Sequence, residues 1–378
     1  MPSGLRVLPP DGRFRTIPVQ GLAKVEELHL LSPVTGDWVV LEGPARRIWE
    51  MLEYPARVHE VATALGAQYD APAETIDESV RSILARLVAH GLVGEAPGEP
   101  VAIRDRYLRL IKRALANTLY PELEMQIQFL RKGVGDLSGI ELERYLRDIE
   151  KRRADDYSEL MDAKQEGAAP WRFPHSMIGL FRLGNIERCA EAVFAEGVEG
   201  DFLEAGVCRG GATIFMRALQ IAHGEAERRT WVVDSFQGVP PSVKEVDQGY
   251  DLHLEEARAP WLACSEEKVR DLFSRYDMLD PKVEFVSGWV AESLPKAPIG
   301  PLAILRIDVD IYSSNYECLD LLYDKVSPGG FVIIDDYGFF EPCRDAVDDF
   351  RARRGIVEPI EWIDRWGIFW RKAAAPAA

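Results

Sequence analysis

Short apolar runs alternate with helix-length amphipathic segments over the second half of the chain. Residues 302–307 and 331–334 are two such runs, rich in Leu, Ile and Val, and the helix-length segment 313–325 lies between them. A short apolar run bounded by turn residues predicts a buried strand, so we predict a βαβ unit with two parallel strands. The Pro-Gly-Gly sequence at 328–330 is predicted to be the turn that enters the second strand.

The same alternation continues upstream of this unit. A strand that begins at Asp201 ends in a glycine turn, a helix follows near Ala212, and apolar runs at 230–233 and 283–286 predict two further strands. Strands that alternate with helices are typical of a parallel sheet covered by helices. The second half of the chain is therefore predicted to have an α/β fold.

The first hundred residues show a different pattern. The runs at 25–31 and 38–41, separated by turn residues, predict a β-hairpin. Three amphipathic helices are predicted after it, and the last begins with a capping box at Thr75 and ends at Gly91. Two strands and three helices within residues 24–93 predict a small, winged-helix-like α+β module.

Composition divides the chain into three predicted parts. The Gly- and Pro-rich sequence at 94–100 predicts a linker, and residues 107–120 predict a helix that Pro121 ends. Residues 140–164 predict a second helix with many charges of both signs, which fits a mobile lid, a subunit contact or a plain connector. The predicted parts are a winged-helix-like domain at 1–98, a helical linker or lid at 99–175 and an α/β domain at 176–378.

Charge and cysteine content narrow the class of partner. The chain of 378 residues has a formal net charge of −17 and five cysteines without a CxxC pair. The negative charge argues against a nucleic-acid backbone or an anionic membrane as the main partner, and we find neither a bilayer-length apolar run nor a secretory signal. Widely spaced cysteines of odd number are typical of reduced thiols. We expect a cytoplasmic protein that acts on small molecules, cations or proteins.

Four carboxylates follow the two strands of the predicted βαβ unit. Asp308 and Asp310 come after the first strand, and Asp335 and Asp336 come directly after the second. The carboxyl ends of parallel strands meet at one edge of the sheet, where open α/β sheets bind ligands. Because four carboxylates repel one another unless a cation lies among them, we predict a divalent-cation site at this edge.

The glycine turn favours S-adenosylmethionine over a dinucleotide. Its spacing, Glu204-x-Gly206-x-x-x-Gly210, departs from G-x-G-x-x-G. We expect Glu204 to take the ammonium group of the ligand and Gly206 to let its amino-acid part approach the chain. Asp234, at the end of the next strand, is expected to accept hydrogen bonds from the ribose, and residues 287–289 to form an adenine wall. This order of features is typical of a class I, Rossmann-like methyltransferase.

Several segments resemble a known family, namely PHSMIGLFRLGNIE, GDFLEAGVCRGGATIFMRA, VVDSFQGVP, LRIDVDIYSS and LYDKVSPGGFVIIDDY. They look like the macrocin O-methyltransferase family (TylF/MycF/NovP type) over about residues 107–370. The resemblance implies methylation of sugar hydroxyls on antibiotics, with S-adenosylmethionine and Mg²⁺. It implies that Asp308, Asp335 and Asp336 hold the metal and that Asp310 is the general base. The cofactor-binding residues expected on this basis are Glu204, Gly206, Val207, Gly210, Asp234, Ser235, Ser287, Gly288, Trp289 and Asp308.

Two residues depart from the family pattern, and both concern the shape of the pocket more than the reaction. Cys208 stands where the family often has Trp, and Val309 stands where it often has Gly. Residues 24–93 separately resemble the PqqD-like family, which binds peptides by adding a strand to the hairpin edge and often steers modifying enzymes to a precursor peptide. The alternative for this domain is a docking or dimerisation module.

The predicted function is Mg²⁺-dependent O-methyl transfer from S-adenosylmethionine to a hydroxyl of a natural-product intermediate, either a sugar or an acceptor bound to a peptide or carrier. A cation that activates a hydroxyl and a carboxylate that takes its proton suit this reaction. Asp308 and Asp310 could exchange the roles of ligand and base. The alternatives are a peptide-binding adaptor with a degenerate methyltransferase module, and carboxylate or N-methylation, which requires no metal. A homo-oligomer, such as a dimer, is expected.

Overall fold

The structure is a computed structural model. It describes residues 13–16, 21–23, 27–32, 34–35, 37–52, 56–66, 71–96, 103–120, 174–241, 245–247 and 263–373. The chain divides into two compact units, at residues 1–107 and 108–378. The predicted helix at 140–164 and the loop before it lie outside the described residues. In the part of the chain that is described, no helix is long and apolar enough to cross a membrane.

The first unit contains two small sheets and three helices among its described residues. One sheet has the strand order β5-β1-β6 and the other the order β2-β3-β4. The predicted hairpin is confirmed as the antiparallel pair of β3 and β4. The strands are β1 (Arg13–Thr16), β2 (Gly21–Ala23), β3 (Glu27–Leu31), β4 (Trp38–Glu42), β5 (Ala56–Arg57) and β6 (Val93–Ala96), and the helices are α1 (Gly43–Met51), α2 (Val58–Gly66) and α3 (Ala73–Ala89).

Two predictions about this unit are wrong at the ends of elements. Helix α3 begins two residues before Thr75 and has Pro72 at its N-cap, without a side-chain capping bond. The predicted linker at 94–100 contributes residues 94–96 to β6, which pairs antiparallel with β1. Gly94 and Glu95 have low strand propensity, but the hydrogen bonds to a distant strand outweigh it.

The second unit is built on a seven-stranded sheet of order β12-β13-β11-β10-β7-β8-β9. Strands β11, β10, β7, β8 and β9 are parallel, and β13 runs antiparallel to β11. The α/β fold predicted for this part is confirmed. The strands are β7 (Asp201–Ala205), β8 (Thr230–Asp234), β9 (Val283–Ser287), β10 (Leu302–Ile307), β11 (Val326–Ile334), β12 (Glu361–Trp362) and β13 (Ile368–Arg371).

The helices of this unit follow the predicted alternation with the strands. Helix α4 (Ile103–Leu115) includes residues on both sides of the division at 107/108. It ends five residues before the predicted end, and Asn117, two residues after it, takes a positive φ of 54°. The other helices are α5 (Gly179–Ala195), α6 (Gly211–Ala222), α7 (Glu266–Arg275), α8 (Val290–Ser293), α9 (Tyr312–Leu322) and α10 (Glu341–Arg354).

The strand order places a switch point between β7 and β10. The chain runs outward from β7 through β8 to β9, returns to the other side of β7 with β10, and then proceeds to β11. Open α/β sheets bind ligands in the crevice outside the carboxyl ends of the strands at such a point. The glycine turn that follows β7 and the carboxylates that follow β10 therefore lie at the same crevice.

The Pro-Gly-Gly sequence is part of β11 and is not the predicted turn. Lys372, the residue after β13, forms hydrogen bonds with this part of the strand. The N–H of Gly329 donates to the Lys372 carbonyl, and the N–H of Lys372 donates to the Gly330 carbonyl. The pairing of β11 with β10 is irregular at this point. Near the C-terminus, Trp370 on β13 is fully buried, whereas Trp362 on the edge strand β12 is 38% exposed.

Candidate active site

Backbone hydrogen bonds continue past the strand ends and hold the predicted site residues in register. The N–H of Asp308 donates to the Ala205 carbonyl at 2.8 Å, and the N–H of Asp335 donates to the Ile307 carbonyl at 3.0 Å. On the other side of β7, the N–H of Gly206 donates to the Val233 carbonyl. The sheet therefore positions the glycine turn and the carboxylates directly, without an intervening flexible loop.

Gly206 is required by a close approach of the chain to itself. Its φ is +81°, and a Cβ built at this position would lie 1.8 Å from the carbonyl oxygen of Asp308. Gly211 is similarly constrained, since its Cβ would lie 2.3 Å from the carbonyl oxygen of His175. We expected Gly206 to make room for a ligand, but its nearest neighbour is the backbone that carries the first carboxylate.

Asp234 fastens the glycine turn to the end of β8. Its Oδ2 accepts hydrogen bonds from the N–H groups of Val207 (2.8 Å) and Cys208 (3.2 Å), and its Oδ1 accepts one from Phe236 N–H at 2.7 Å. Burial raises the pKa of Asp234, against the effect of these backbone donors. The next residue, Ser235, donates to the carbonyl of Gly238.

The loop after β9 is tied to the same strand end. Gly288 has a φ of +130°, and its N–H donates to the Asp234 carbonyl at 2.9 Å. Trp289, which follows it, is half-buried and faces the crevice cavity. Ser287 donates to the carboxylate of Glu266 on α7 and lies outside the lining of this cavity.

A cavity of about 210 Å³ lies at the switch point. The tertiary structure brings seven of the predicted site residues together in its lining, and it places the other six behind this lining or beside it. The seven are Gly206, Asp234, Ser235, Gly288, Trp289, Asp308 and Asp310. The six are Glu204, Val207, Gly210, Ser287, Asp335 and Asp336.

Glu204 lies beneath the cavity and both of its carboxylate oxygens have protein partners. Its Oε1 accepts a hydrogen bond from Arg306, and its Oε2 accepts one from the hydroxyl of Thr213. It borders a small second recess that Val207 and Asp308 also line. Burial raises the pKa of Glu204 to about 7, against the effect of the Arg306 charge.

Three of the four predicted carboxylates form a compact oxygen cluster. One ligand oxygen from each of Asp308, Asp335 and Asp336 lies within 4.8 Å of the others. The Oδ2 of Asp336 is buried and has no hydrogen-bond partner among the described residues. Burial and the charges of its acidic neighbours raise the pKa of Asp336, and the same causes raise the pKa of Asp308.

Asp310 differs from the other three in its backbone and its position. Its φ is +58°, so the chain turns sharply immediately after β10, and its side chain lines the main cavity beside Asp308. Burial, together with the negative charges of Asp308 and Asp335, raises the pKa of Asp310 to about 8. When deprotonated, this carboxylate is a stronger base than an ordinary aspartate.

Two buried arginines were missed by the sequence analysis. Arg306 on β10 is 1% exposed and contacts the carboxylates of Glu204, Asp308 and Asp335. Arg182 on α5 contacts the other oxygen of Asp335. A single arginine inside an otherwise apolar strand, two residues before Asp308 and on the same face, was the signal in the sequence.

A third missed residue is Asp247, a buried carboxylate that lines the cavity from a distant segment. It accepts hydrogen bonds from the backbone N–H groups of Tyr312 (2.8 Å) and Ser313, and from the Ser313 hydroxyl. It thus caps the N-terminus of α9, the helix that follows Asp310. Cys208, a departure from the family pattern, takes a positive φ of 48°, and burial raises the pKa of its thiol to about 12, which disfavours the thiolate.

Two family models match separate parts of the chain. Residues 104–372 match the sequence model of the macrocin O-methyltransferase family (TylF), and residues 27–93 match that of coenzyme PQQ synthesis protein D. The resemblance of the N-terminal residues to the PqqD-like family is thereby confirmed.

Two named relatives align over nearly their full length, and each alignment covers about seven tenths of this chain. An 8-demethyl-8-(2,3-dimethoxy-alpha-L-rhamnosyl)-tetracenomycin-C 4'-O-methyltransferase of Streptomyces olivaceus is 43% identical, with 72% of this chain and 95% of the relative covered. A mycinamicin III 3''-O-methyltransferase of Micromonospora griseorubida is 37% identical over 71% of this chain and 97% of the relative. The solved O-methyltransferase NovP superposes with a TM-score of 0.60 at 39% identity, over 71% of this chain and 99% of that one. The chain therefore belongs to the macrocin O-methyltransferase family and is an S-adenosylmethionine-dependent O-methyltransferase.

Proposed function

We propose that this protein methylates a hydroxyl of a sugar on a natural-product intermediate, with a Mg²⁺ ion held by Asp308, Asp335 and Asp336. The observation that carries the proposal is that this oxygen cluster meets, through Asp308, the cavity that Asp234 and Asp310 line. The names of the relatives support the acceptor class, since one of them acts on a rhamnosyl-bearing tetracenomycin.

The donor set suits a hard divalent cation. All three ligands are carboxylates, and Mg²⁺ prefers oxygen ligands. The buried Oδ2 of Asp336, which lacks a partner among the described residues, would gain one. A bound Mg²⁺ would polarise the acceptor hydroxyl and lower its pKa.

The cavity residues on the β7 and β8 side are proposed to hold the methyl donor. The Oδ2 of Asp234 already accepts two backbone N–H groups, whereas its Oδ1 accepts one and has a second lone pair for a ribose hydroxyl. Trp289 is proposed to pack against the adenine, with Ser235, Ser287 and Gly288 beside it. Glu204 is proposed to attract the donor's ammonium as a buried negative charge, since its own oxygens already have partners. The N–H groups of the turn, at Val207 and Gly210, shape the same side.

Asp310 is proposed to be the general base. S-adenosylmethionine supplies an electrophilic methyl group, so the acceptor oxygen must lose its proton as the new C–O bond forms. Asp310 lines the cavity and is outside the three-carboxylate cluster, which leaves its carboxylate available to take that proton. Holding the acceptor in line with the donor supplies much of the remaining acceleration.

Removal of the metal tests the proposal. We expect that protein treated with EDTA loses turnover of its glycosylated acceptor, that added Mg²⁺ restores it, and that calorimetry detects S-adenosylmethionine binding under both conditions. Turnover at the full rate without metal would overturn the metal-dependent mechanism. Failure to bind S-adenosylmethionine would instead favour the adaptor with a degenerate module.

A second candidate acceptor is one carried by a peptide or a carrier protein. The observation that favours it is that β4 of the first unit pairs on one side only among the described strands, with Trp38 45% exposed and Val40 42% exposed. An edge strand with exposed apolar side chains can pair with an added peptide strand. Faster methylation of a carrier-bound acceptor than of the free molecule, abolished by Val40→Pro, would support this candidate. Equal rates for the two acceptors would exclude it.

A further inference from the structure

The guanidinium groups of Arg182 and Arg306 lie among the buried carboxylates of the active site. Arg306 Nη1 contacts Glu204 and Asp308, the latter at 3.0 Å, and Arg306 Nη2 contacts Oδ1 of Asp335. Arg182 Nη1 contacts Oδ2 of Asp335, and Arg182 Nε contacts Asp364 at 2.8 Å. Asp335 thus has an arginine on each of its oxygens.

The two arginines reach only part of this acidic network. Six carboxylates lie in or beside the cluster, and four of them contact at least one of the two arginines. Asp310 and Asp336 have no arginine contact among the described residues. The six are Glu204, Asp308, Asp310, Asp335, Asp336 and Asp364. Of the two acids without an arginine contact, Asp310 lines the cavity and Asp336 belongs to the oxygen cluster behind it.

Both guanidinium groups are buried with the acids that they contact. Arg182 is 4% exposed and Arg306 is 1% exposed, so water screens neither of the two charges. The carboxylates that surround Arg306 raise its pKa, despite burial, and keep it charged. A buried ion pair that loses one partner leaves an uncompensated charge, which is strongly destabilising.

We propose that Arg182 and Arg306 are built-in counter-ions that set how tightly the active site holds its divalent cation. They contact both oxygens of Asp335 and leave Asp310 and Asp336 without an arginine contact among the described residues. The cation is thereby held loosely enough to exchange, and the carboxyl edge of the sheet stays folded without it. This inference rests on the Mg²⁺ site proposed above.

The inference predicts opposite effects for two substitutions at the same ion pair. Arg182→Gln removes a positive charge, so the site should attract cations more strongly and depend on them for folding. Asp364→Asn removes a negative charge from the far side of Arg182 while its amide oxygen still accepts from the N–H groups of Trp366 and Gly367. This variant should bind cations more weakly.

The experiment measures Mn²⁺ binding by the electron paramagnetic resonance of free Mn²⁺, and thermal unfolding in EDTA and in Mg²⁺. We expect Kd for Mn²⁺ to fall by about tenfold or more in Arg182→Gln and to rise severalfold in Asp364→Asn. The increase of Tm on adding Mg²⁺ should be larger in Arg182→Gln than in the natural chain. Arg182→Lys, which keeps the charge, should restore the behaviour of the natural chain.

Arg217→Gln is the matched control. Arg217 is also a buried arginine paired with a carboxylate, Asp280 at 2.7 Å, but it belongs to α6 and does not contact the acidic cluster. Its loss should lower Tm by the same amount in EDTA and in Mg²⁺, with no change in Kd for Mn²⁺.

The outcomes separate this inference from the function on which it rests. If the natural chain binds no Mn²⁺, the Mg²⁺ proposal fails. If Mn²⁺ binds to the natural chain and is lost in Asp336→Asn, while Kd is unchanged in both Arg182→Gln and Asp364→Asn, only the counter-ion inference fails. Should Arg182→Gln not fold even in Mg²⁺, an unchanged Kd in Asp364→Asn is sufficient to overturn the inference.

Discussion

Asp310 owes its place in the cavity to a left-handed backbone conformation. Had the strand continued, alternation would place Asp308 and Asp310 on one face of the sheet. Instead, φ is +58° at Asp310, and the N–H of Ile311 donates to the Val309 carbonyl at 2.7 Å. The turn separates the two acids in position, since Asp308 joins the oxygen cluster and Asp310 is not one of its three members.

Substitution of the proposed base should affect the chemical step and not donor binding. For Asp310→Ala we expect kcat to fall by about 10²- to 10⁴-fold, the usual contribution of a general base. The Kd for S-adenosylmethionine, measured by calorimetry, should stay within a factor of about three. Asp320→Ala, at an exposed aspartate of α9, is the control and should leave both values unchanged. An Asp310→Ala enzyme with normal kcat would assign the base elsewhere.

The backbone contact at Gly206 makes a second prediction at the scale of the residue. Gly206→Ala forces a Cβ to within 1.8 Å of the Asp308 carbonyl oxygen and imposes a positive φ on alanine. We expect a loss of about 3 kcal/mol or more in the free energy of unfolding, measured in urea, together with loss of donor binding.

Gly184→Ala is the matched control for this prediction. Gly184 lies inside α5, and a Cβ built there meets no atom within 4 Å. Alanine should therefore stabilise the helix by about 0.5–1 kcal/mol. Equal effects of the two substitutions would show that the approach of Gly206 to Asp308 is not tight in solution.

Helix α9 depends on a cap from a remote segment. Its N-cap residue is Ile311, which offers no side-chain hydrogen bond, and Asp247 accepts from the first N–H groups instead. A carboxylate at a helix N-terminus satisfies unpaired donors and interacts favourably with the helix dipole. The cap thereby fixes the start of the helix directly after Asp310 and Ile311.

Removal of this cap should combine a stability defect with a binding defect. For Asp247→Ala we expect a loss of about 1–2 kcal/mol in the free energy of unfolding and an increased KM for the acceptor, because Asp247 also lines the cavity. Ser265→Ala is the control, since Ser265 caps α7 through Lys268 N–H and is not part of the lining. It should cost about 1 kcal/mol and leave KM unchanged. Identical KM values for the two variants would contradict the role of Asp247 at the site.

The methyltransferase unit has its own core at the scale of the whole molecule. The sheet of the second unit and the helices on it bury a continuous set of side chains, including Trp231, Phe350 and Trp370. Helix α4 belongs to this unit through Lys112, which pairs with Glu187 at 2.6 Å, and through the carbonyl of Leu115, which accepts from the N–H groups of residues 175 and 176. The model of the macrocin O-methyltransferase family matches this part of the chain, at residues 104–372.

A chain that begins at residue 101 should fold and bind S-adenosylmethionine with the Kd of the full chain, within a factor of about two. A chain that begins at residue 117 lacks α4 and is the control. It leaves Glu187 without Lys112, so we expect a lower Tm in calorimetric scans. Loss of donor binding in the longer variant would mean that the first unit takes part in the cofactor site.

Local patterns in the sequence determined most of the site's position. The strands β10 and β11 end at Ile307 and Ile334, where the sequence changes from apolar residues to aspartates. The pattern of apolar positions predicts boundaries of this kind. The parallel alternation of strands and helices then places the acids at one sheet edge, as the structure confirms. Which of these residues ligate, bind or catalyse is still a prediction.

Only the tertiary structure decided which charges and loops meet. Arg182 and Asp335 are 153 residues apart in the chain, and Asp247 and Tyr312 are 65 apart, so no local pattern encodes either contact. Residue 206 must be glycine because the carbonyl oxygen of Asp308, which is distant in the sequence, occupies the space of a Cβ. The sequence alone therefore determined the set of acids at the sheet edge. The arginines that contact them depend on long-range packing, because a charge buried away from water is stabilised by an opposite charge that the fold brings beside it.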